Sequence, residues 1–304
     1  MKFTSWLKKI IIIAVLFFAI DFAISQVLLG GLNKYFGLKS DSKILINGSS
    51  LAMAGFDKVK VEKELHQSVA FYTRTGVSLQ DRNAMLKHYF NQADAKTDVV
   101  VFEVNPLLFS KKFTAENVYM LFLPFIDDSS MDELIQSKTS FREYLVRKTV
   151  RTSRYNSDLI TLSTKGYLGD YRNQKNQVLD AEALSGLKKK ENTTPVELDV
   201  DKIKLFESSM ALLNQHSKKI ILVNMPIFST KMKTFKTEDY QKYLEYLNAF
   251  RQKNSNVYML DLNKQDFTED SNLFADPLHM NVTGQSKTTK ALTDYIAQNN
   301  FFKK

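Results

Sequence analysis

Ile44-Leu45-Ile46-Asn47-Gly48-Ser49-Ser50-Leu51-Ala52-Met53 runs a short apolar stretch straight into a turn of small polar residues that presents two hydroxyls. A β-branched apolar run bounded by turn residues reads as a buried strand. The same signature recurs along the chain. With Lys43–Asn47 as the first, strands are predicted at Val69–Tyr72, Asp98–Val104, Lys219–Asn224 and Val257–Leu262. Helical periodicity fills several of the gaps, at Leu79–Gln92, Val200–Gln215, Asp239–Lys253 and Thr283–Gln298. Strand alternating with helix implies a parallel sheet covered by helices on both faces, an α/β fold. Residues 106–196 break the rhythm, being charged and poor in strand signals, and read as a mostly helical insertion placed to cap the site.

Open parallel sheets collect reactive groups at the carboxyl ends of their strands. The first strand delivers Ser49 and Ser50 there, and a hydroxyl in that turn can serve as a nucleophile. The third predicted strand ends Phe102-Glu103-Val104-Asn105-Pro106, and Pro106 holds Asn105 extended, as a side-chain donor at the same edge. Near the C-terminus, Asp276-Pro277-Leu278-His279 sets a carboxylate three residues before an imidazole, ahead of the last helix. That pair has triad logic, the carboxylate orienting a ring whose other nitrogen takes a serine proton. Each residue also has a plain structural use: the serines as helix caps, Asn105 in a turn, Asp276 capping the last helix with His279 on the surface. Their joint occurrence, in order and at strand ends, favours the catalytic reading.

The other end of the chain bears on location. Ile10 to about Leu29 is almost wholly apolar behind Lys2, Lys8 and Lys9. As a helix it rises about 30 Å, the thickness of a hydrocarbon core. The lysines predict a cytoplasmic N-terminus and an extracytoplasmic domain. A cleaved signal peptide is the competing reading, but no small-x-small site follows convincingly. Asp21 lies inside the span, facing either a protein partner or polar cavity, or tilting protonated toward the outer interface. Residues 1–32 are thus expected as an anchor and 33–304 as the extracytoplasmic domain. The chain of 304 residues has no Cys, which excludes thiol catalysis and disulfides, and its four scattered His give no metal-ligand spacing. No cofactor and no metal is expected. The net charge of +9 suits an anionic partner, and nucleic acid does not suit a domain outside the membrane.

The Gly48-Ser49-Ser50 turn and the late Asp276-x-x-His279 loop together resemble the SGNH (GDSL-like) hydrolases. The resemblance covers roughly Lys43 to Asn105 and Lys219 to the end, and implies a flavodoxin-like three-layer α/β/α sandwich. It implies Ser50 as nucleophile, with Ser49 where the family usually has Asp, and Asp276 and His279 as its triad partners. The family's second-block glycine corresponds best to Gly76 and its third-block asparagine to Asn105, although the usual Gly before and Asp after that asparagine are missing. Ser50 and Gly76 N–H groups with the Asn105 side chain would then form the oxyanion hole. Ser for Asp in the first block, and the run Ile220–Pro226, resemble the membrane-anchored branch that includes the teichoic-acid D-alanyl transfer protein D and, more loosely, alginate O-acetyltransferase SGNH proteins.

The expected activity is serine acyl-ester chemistry. An O-acyltransferase of the O-acetyl or D-alanyl class, acting on a cell-envelope polysaccharide or teichoic-type polymer, is the leading reading. A glycan O-acetylesterase or a non-catalytic anchored scaffold is the alternative. A multispanning membrane O-acyltransferase is the implied partner, with Asp21 as a contact to it. In the insertion, Arg142, Arg147 and Arg151 among Phe141, Tyr144 and Leu145 are candidates for gripping an anionic glycan or lipid headgroup, or else form one solvated helical face.

Overall fold

The computed structural model describes residues 2–92, 97–111, 117–173, 176–180, 192–264 and 266–302. Five strands form one sheet in the order β2-β1-β3-β4-β5, every neighbouring pair parallel. They are β1 (Ile44–Gly48), β2 (Val69–Thr73), β3 (Thr97–Val104), β4 (Ser217–Asn224) and β5 (Val257–Asp261). This is the doubly wound flavodoxin order, whose switch point lies between β1 and β3. All five predicted strands are present, within two residues at each end. The fold is the α/β/α sandwich.

The pleat of the central strands explains the layers. Ile44, Ile46, Val99, Val101, Ile221 and Val223 pack on Ala52, Phe56, Val61, Leu292 and Ile296, all nearly or fully buried. Those partners come from α2 (Ser50–Gly55), α3 (Lys58–Leu65) and α11 (Val282–Gln298). The opposite face meets α4 (Leu79–Gln92), α8 (Val200–His216) and α10 (Thr237–Lys253), where Phe206 stacks edge-on against Phe102 and Phe109 at 6.1 and 5.3 Å. A short α9 (Ser229–Met232) follows β4. Strands buried on both faces are what a parallel sheet requires, which is why they read as continuous apolar runs.

The chain divides into two compact units. The α/β unit comprises Gly37–Glu116 and Tyr171–Lys304; the other comprises Met1–Phe36 and Asn117–Asp170. The separate part of the insertion is therefore shorter than the expected 106–196, of which 112–116, 174–175 and 181–191 lie outside the described residues. Its flanks belong to the α/β unit for a packing reason. Leu108 and Phe109 are buried there, Leu179 N–H bonds to Phe274 O at 2.7 Å, and Thr194 forms a bridge with Phe235.

In the helical unit, α1 runs from Lys2 to Phe36, four residues beyond the expected anchor. The remaining helices are α5 (Ser129–Gln136), α6 (Phe141–Thr149) and α7 (Ser157–Leu168), with a 3-10 turn at Arg151–Arg154. Ser5–Phe36 is long and apolar enough to cross a membrane. Its C-terminal half packs on α7 through small residues: a Cβ added at Gly31 would collide with Ser163, and one at Gly166 with the Gly31 backbone.

Candidate active site

Ser49 and Ser50 divide the two uses a serine has at this turn. Ser49 is the N-cap of α2, its hydroxyl accepting the Leu51 N–H at 3.2 Å. Ser50 opens the helix, and its Oγ stands 2.9 Å from His279 Nε2. His279 Nδ1 lies 2.8 Å from each Asp276 oxygen, and the same carboxylate accepts the Leu278 and His279 N–H groups at 3.0 Å. Those two backbone donors lock the Asp276 carboxylate, so the ring it holds presents Nε2 to the serine. Asp276 does not cap the last helix. Asn281 does, accepting from Thr283 and Gly284. The imidazole is 19% exposed, open enough for a substrate to reach. Serine, base and orienting carboxylate at hydrogen-bond spacing can split an acyl ester through an acyl-serine.

Phe102 and Glu103 reach the turn from β3, and here the structure adds residues that the sequence reading did not single out. Glu103 is fully buried. Its Oε2 accepts the Ser49 N–H at 2.6 Å and its Oε1 accepts Asn105 Nδ2 at 2.6 Å. Asn105 Oδ1 takes the Leu107 N–H at 2.9 Å, which fixes the amide's orientation and leaves its second N–H without a protein acceptor among the described residues. A Cβ at Gly48 would come within 3.1 Å of Glu103 Oε2, so a side chain at that position would crowd the carboxylate out of place.

Arg82, on α4, is also fully buried and supplies the balancing charge. Its Nη1 is 3.7 Å from Glu103 Oε2, its Nε and Nη2 bond to the Asn47 side chain and carbonyl at 3.1 Å, and its guanidinium lies 3.8 Å over the Phe102 ring. Burial pulls its pKa down to about 10 while Glu103 pulls the other way, and it stays protonated at neutral pH. Paired with Arg82, the Glu103 carboxylate fixes the Ser49 amide and the Asn105 side chain without standing as an unbalanced buried charge.

Gly76 lies past the carboxyl end of β2, beside β1, in a turn with φ +77°. The link between those strand ends is the Arg74 N–H on Gly48 O at 3.2 Å. A positive φ of that size favours glycine there. Of the basic candidates, Arg147 pairs with Glu143 at 3.4 Å and Arg151 with Asp127 at 3.2 Å, both inside the helical unit. Arg142 is exposed. Asp21 also finds partners within the chain: it accepts the Arg151 and Thr152 N–H groups at 2.7 and 2.8 Å and the Thr152 hydroxyl at 2.5 Å. The first amides of a 3-10 turn thus satisfy Asp21 from within the chain. Among the described residues no cluster of three or more His, Asp or Glu could hold a metal.

No protein-family model matches the sequence, and no curated protein matches it. Among solved structures, the chain is similar to a Streptococcus pneumonia protein described as a candidate platelet activating factor, at 11% identity and TM-score 0.43, over 91% of this chain and 98% of that one. It is also similar to a family two carbohydrate esterase from Clostridium thermocellum, solved with cellohexaose, at 10% identity and TM-score 0.39, over 86% of this chain and 66% of that one. At such identities and scores, the chemistry has to be argued from the residues.

Proposed function

We propose that the chain is an SGNH-type serine acyl-ester enzyme held to a membrane by α1. Its activity is O-acyl transfer to a hydroxyl of a cell-envelope polysaccharide or teichoic-type polymer. The carrying observation is the chain of contacts from Ser50 Oγ through His279 to Asp276 at the carboxyl edge of the sheet. Ser50 Oγ attacks the acyl carbonyl and passes its proton to His279 Nε2. The leaving alcohol or thiol takes that proton as the tetrahedral intermediate collapses, leaving acyl-Ser50. Asn105 and the N–H groups of Ser50 and Gly76 are the proposed donors to the oxyanion. In the second half, His279 deprotonates the acceptor hydroxyl, which takes the acyl group and frees Ser50.

The test uses the full-length chain in detergent micelles with para-nitrophenyl acetate. Ser50→Ala and His279→Ala are expected to lose about 10³-fold or more in kcat. Ser49→Ala keeps most of the activity while costing about 1 kcal/mol of stability through its lost cap. Equal activity in Ser50→Ala refutes the nucleophile assignment. Intact mass separates transferase from esterase: an acyl adduct discharged faster by a sugar or polyol than by water supports transfer, and discharge by water alone supports the glycan O-acetylesterase reading. No adduct and no turnover leaves an anchored scaffold. Co-purification with a multispanning acyltransferase tests the source of the acyl group.

A further inference from the structure

Alpha helix α1 and the insertion make competing demands on one stretch of chain. A hydrocarbon core about 30 Å thick takes about 20 helical residues. Between Lys9 and Asp21 there are only the residues 10–20, and these rise about 16 Å. Even counted from Trp6, the rise to Asp21 is about 22 Å. A bilayer crossed by α1 therefore extends past Asp21 by at least about 8 Å. That is the stretch where the insertion takes hold of the helix: Asp21 is 4% exposed under Arg151 and Thr152, and Ser25 accepts the Tyr155 hydroxyl at its carbonyl at 3.0 Å. Ile24 and Val27, in the same turns, remain exposed and apolar, and so does about half of Phe22, whose ring lies 5.0 Å under the Arg151 guanidinium.

From this we infer that the insertion is itself seated in the outer leaflet, with α6 lying in the membrane interface and its apolar side chains among the acyl chains. The inference rests on α1 being the membrane anchor. α6 ends at Thr149, two residues before the turn that caps Asp21, so it lies near the depth where α1 passes into the outer leaflet. It exposes Phe141 (76%), Leu145 (46%) and Val146 (47%), a cost in water that a lipid surface removes. Exposed cations flank this face: Lys138 precedes the helix and Arg142 sits beside Phe141, positioned for anionic headgroups. Several neighbouring charges are paired internally, Lys148 with Asp132 at 3.0 Å and Arg154 with Asp127 at 2.8 Å, which lowers the cost of bringing them near lipid. The peptide groups and hydroxyl capping Asp21 do the same for the one carboxylate within the span.

The chain has a single tryptophan, Trp6, and this gives a two-part test. Full-length protein is reconstituted in phosphatidylcholine–phosphatidylglycerol vesicles whose acyl chains carry bromine, which quenches tryptophan on contact. Quenching of native Trp6 reports the anchor. In a Trp6→Phe background, Leu145→Trp and, separately, Phe141→Trp report α6, and Lys253→Trp, on an exposed part of the α/β unit, is the water control. Quenching of both α6 probes comparable to that of Trp6, with Lys253→Trp unaffected, is the expected result. Probes on α6 quenched no more than Lys253→Trp while Trp6 is quenched overturn the inference and leave the anchor standing. An unquenched Trp6 overturns both.

Discussion

Two buried acids, one in each unit, show how differently a carboxylate can be kept out of water. Glu103 lies under the nucleophile turn and is balanced by a guanidinium; its remaining acceptor sites take the Ser49 amide and the Asn105 side chain. Among the described residues, no cationic side chain forms an ion pair with Asp21. It is satisfied by two backbone N–H groups at the start of a 3-10 turn and by one hydroxyl, groups whose dipoles favour an anion. The difference follows what each must do. In the proposed acyl transfer Glu103 holds Asn105, a proposed oxyanion donor, and the Arg82 charge offsets its own. Asp21 only has to hold the insertion against α1, and a neutral cap is enough.

The comparison breaks most visibly at Glu103. Glu103→Ala leaves Arg82 buried without a counter-charge, and a loss of about 3–5 kcal/mol in urea unfolding is expected. Glu103→Gln keeps the shape but turns an amide N–H toward one of the two donors. It is expected to lower kcat roughly tenfold to a hundredfold with KM little changed, because it disturbs Asn105, a proposed donor to the transition state, and the turn that carries Ser50. An unchanged kcat would make the pair purely structural. At Asp21 the expectation is the reverse: Asp21→Asn costs about 1–3 kcal/mol, read as faster proteolysis of the insertion, with kcat unaltered. A fall in kcat would show that the two units are coupled.

The smallest effect sharpens the contrast inside the helical unit. Burial raises the Asp127 carboxyl, but the hydrogen bond and charge of Arg154, with Arg151 and Lys148, outweigh it and hold the carboxyl below its ordinary 3.8. A lowered acid stabilises the fold above its ordinary pKa, and this contribution fades as pH drops through the folded value. Thermal unfolding of Asp127→Asn should therefore trail the native chain at neutral pH and converge with it below about pH 4, by under about 1 kcal/mol because the side chain is half exposed. A gap that persists in acid would place the stabilisation elsewhere.

Much of this was legible in the chain. The five strands announced themselves because parallel strands are apolar on both faces, and their order in sequence pointed to Ser50, Asn105 and the Asp276–His279 loop. What could not be read was which groups share a buried pocket. Arg82 looks like one more charge on a helix, and Glu103 like a polar interruption of a strand. The one available signal was a carboxylate inside an otherwise apolar run, Val99-Val100-Val101-Phe102-Glu103-Val104, which is costly unless a partner waits. In the basic cluster, Glu143 stands one helical turn before Arg147 and could be read from spacing, whereas Asp127 and Asp132, which pair Arg151, Arg154 and Lys148, come from earlier in the chain and are matched to them only by folding.

Periodicity and composition thus determined the elements, the sheet edge and the apolar helix by themselves, since these depend on local spacing and on the cost of exposing apolar surface. Tertiary structure alone decided which serine meets His279, which arginine balances Glu103, and that Asp21 is answered from within. Those pairings join residues tens to more than two hundred positions apart, and only the packed sheet and helices bring them within a hydrogen bond of each other.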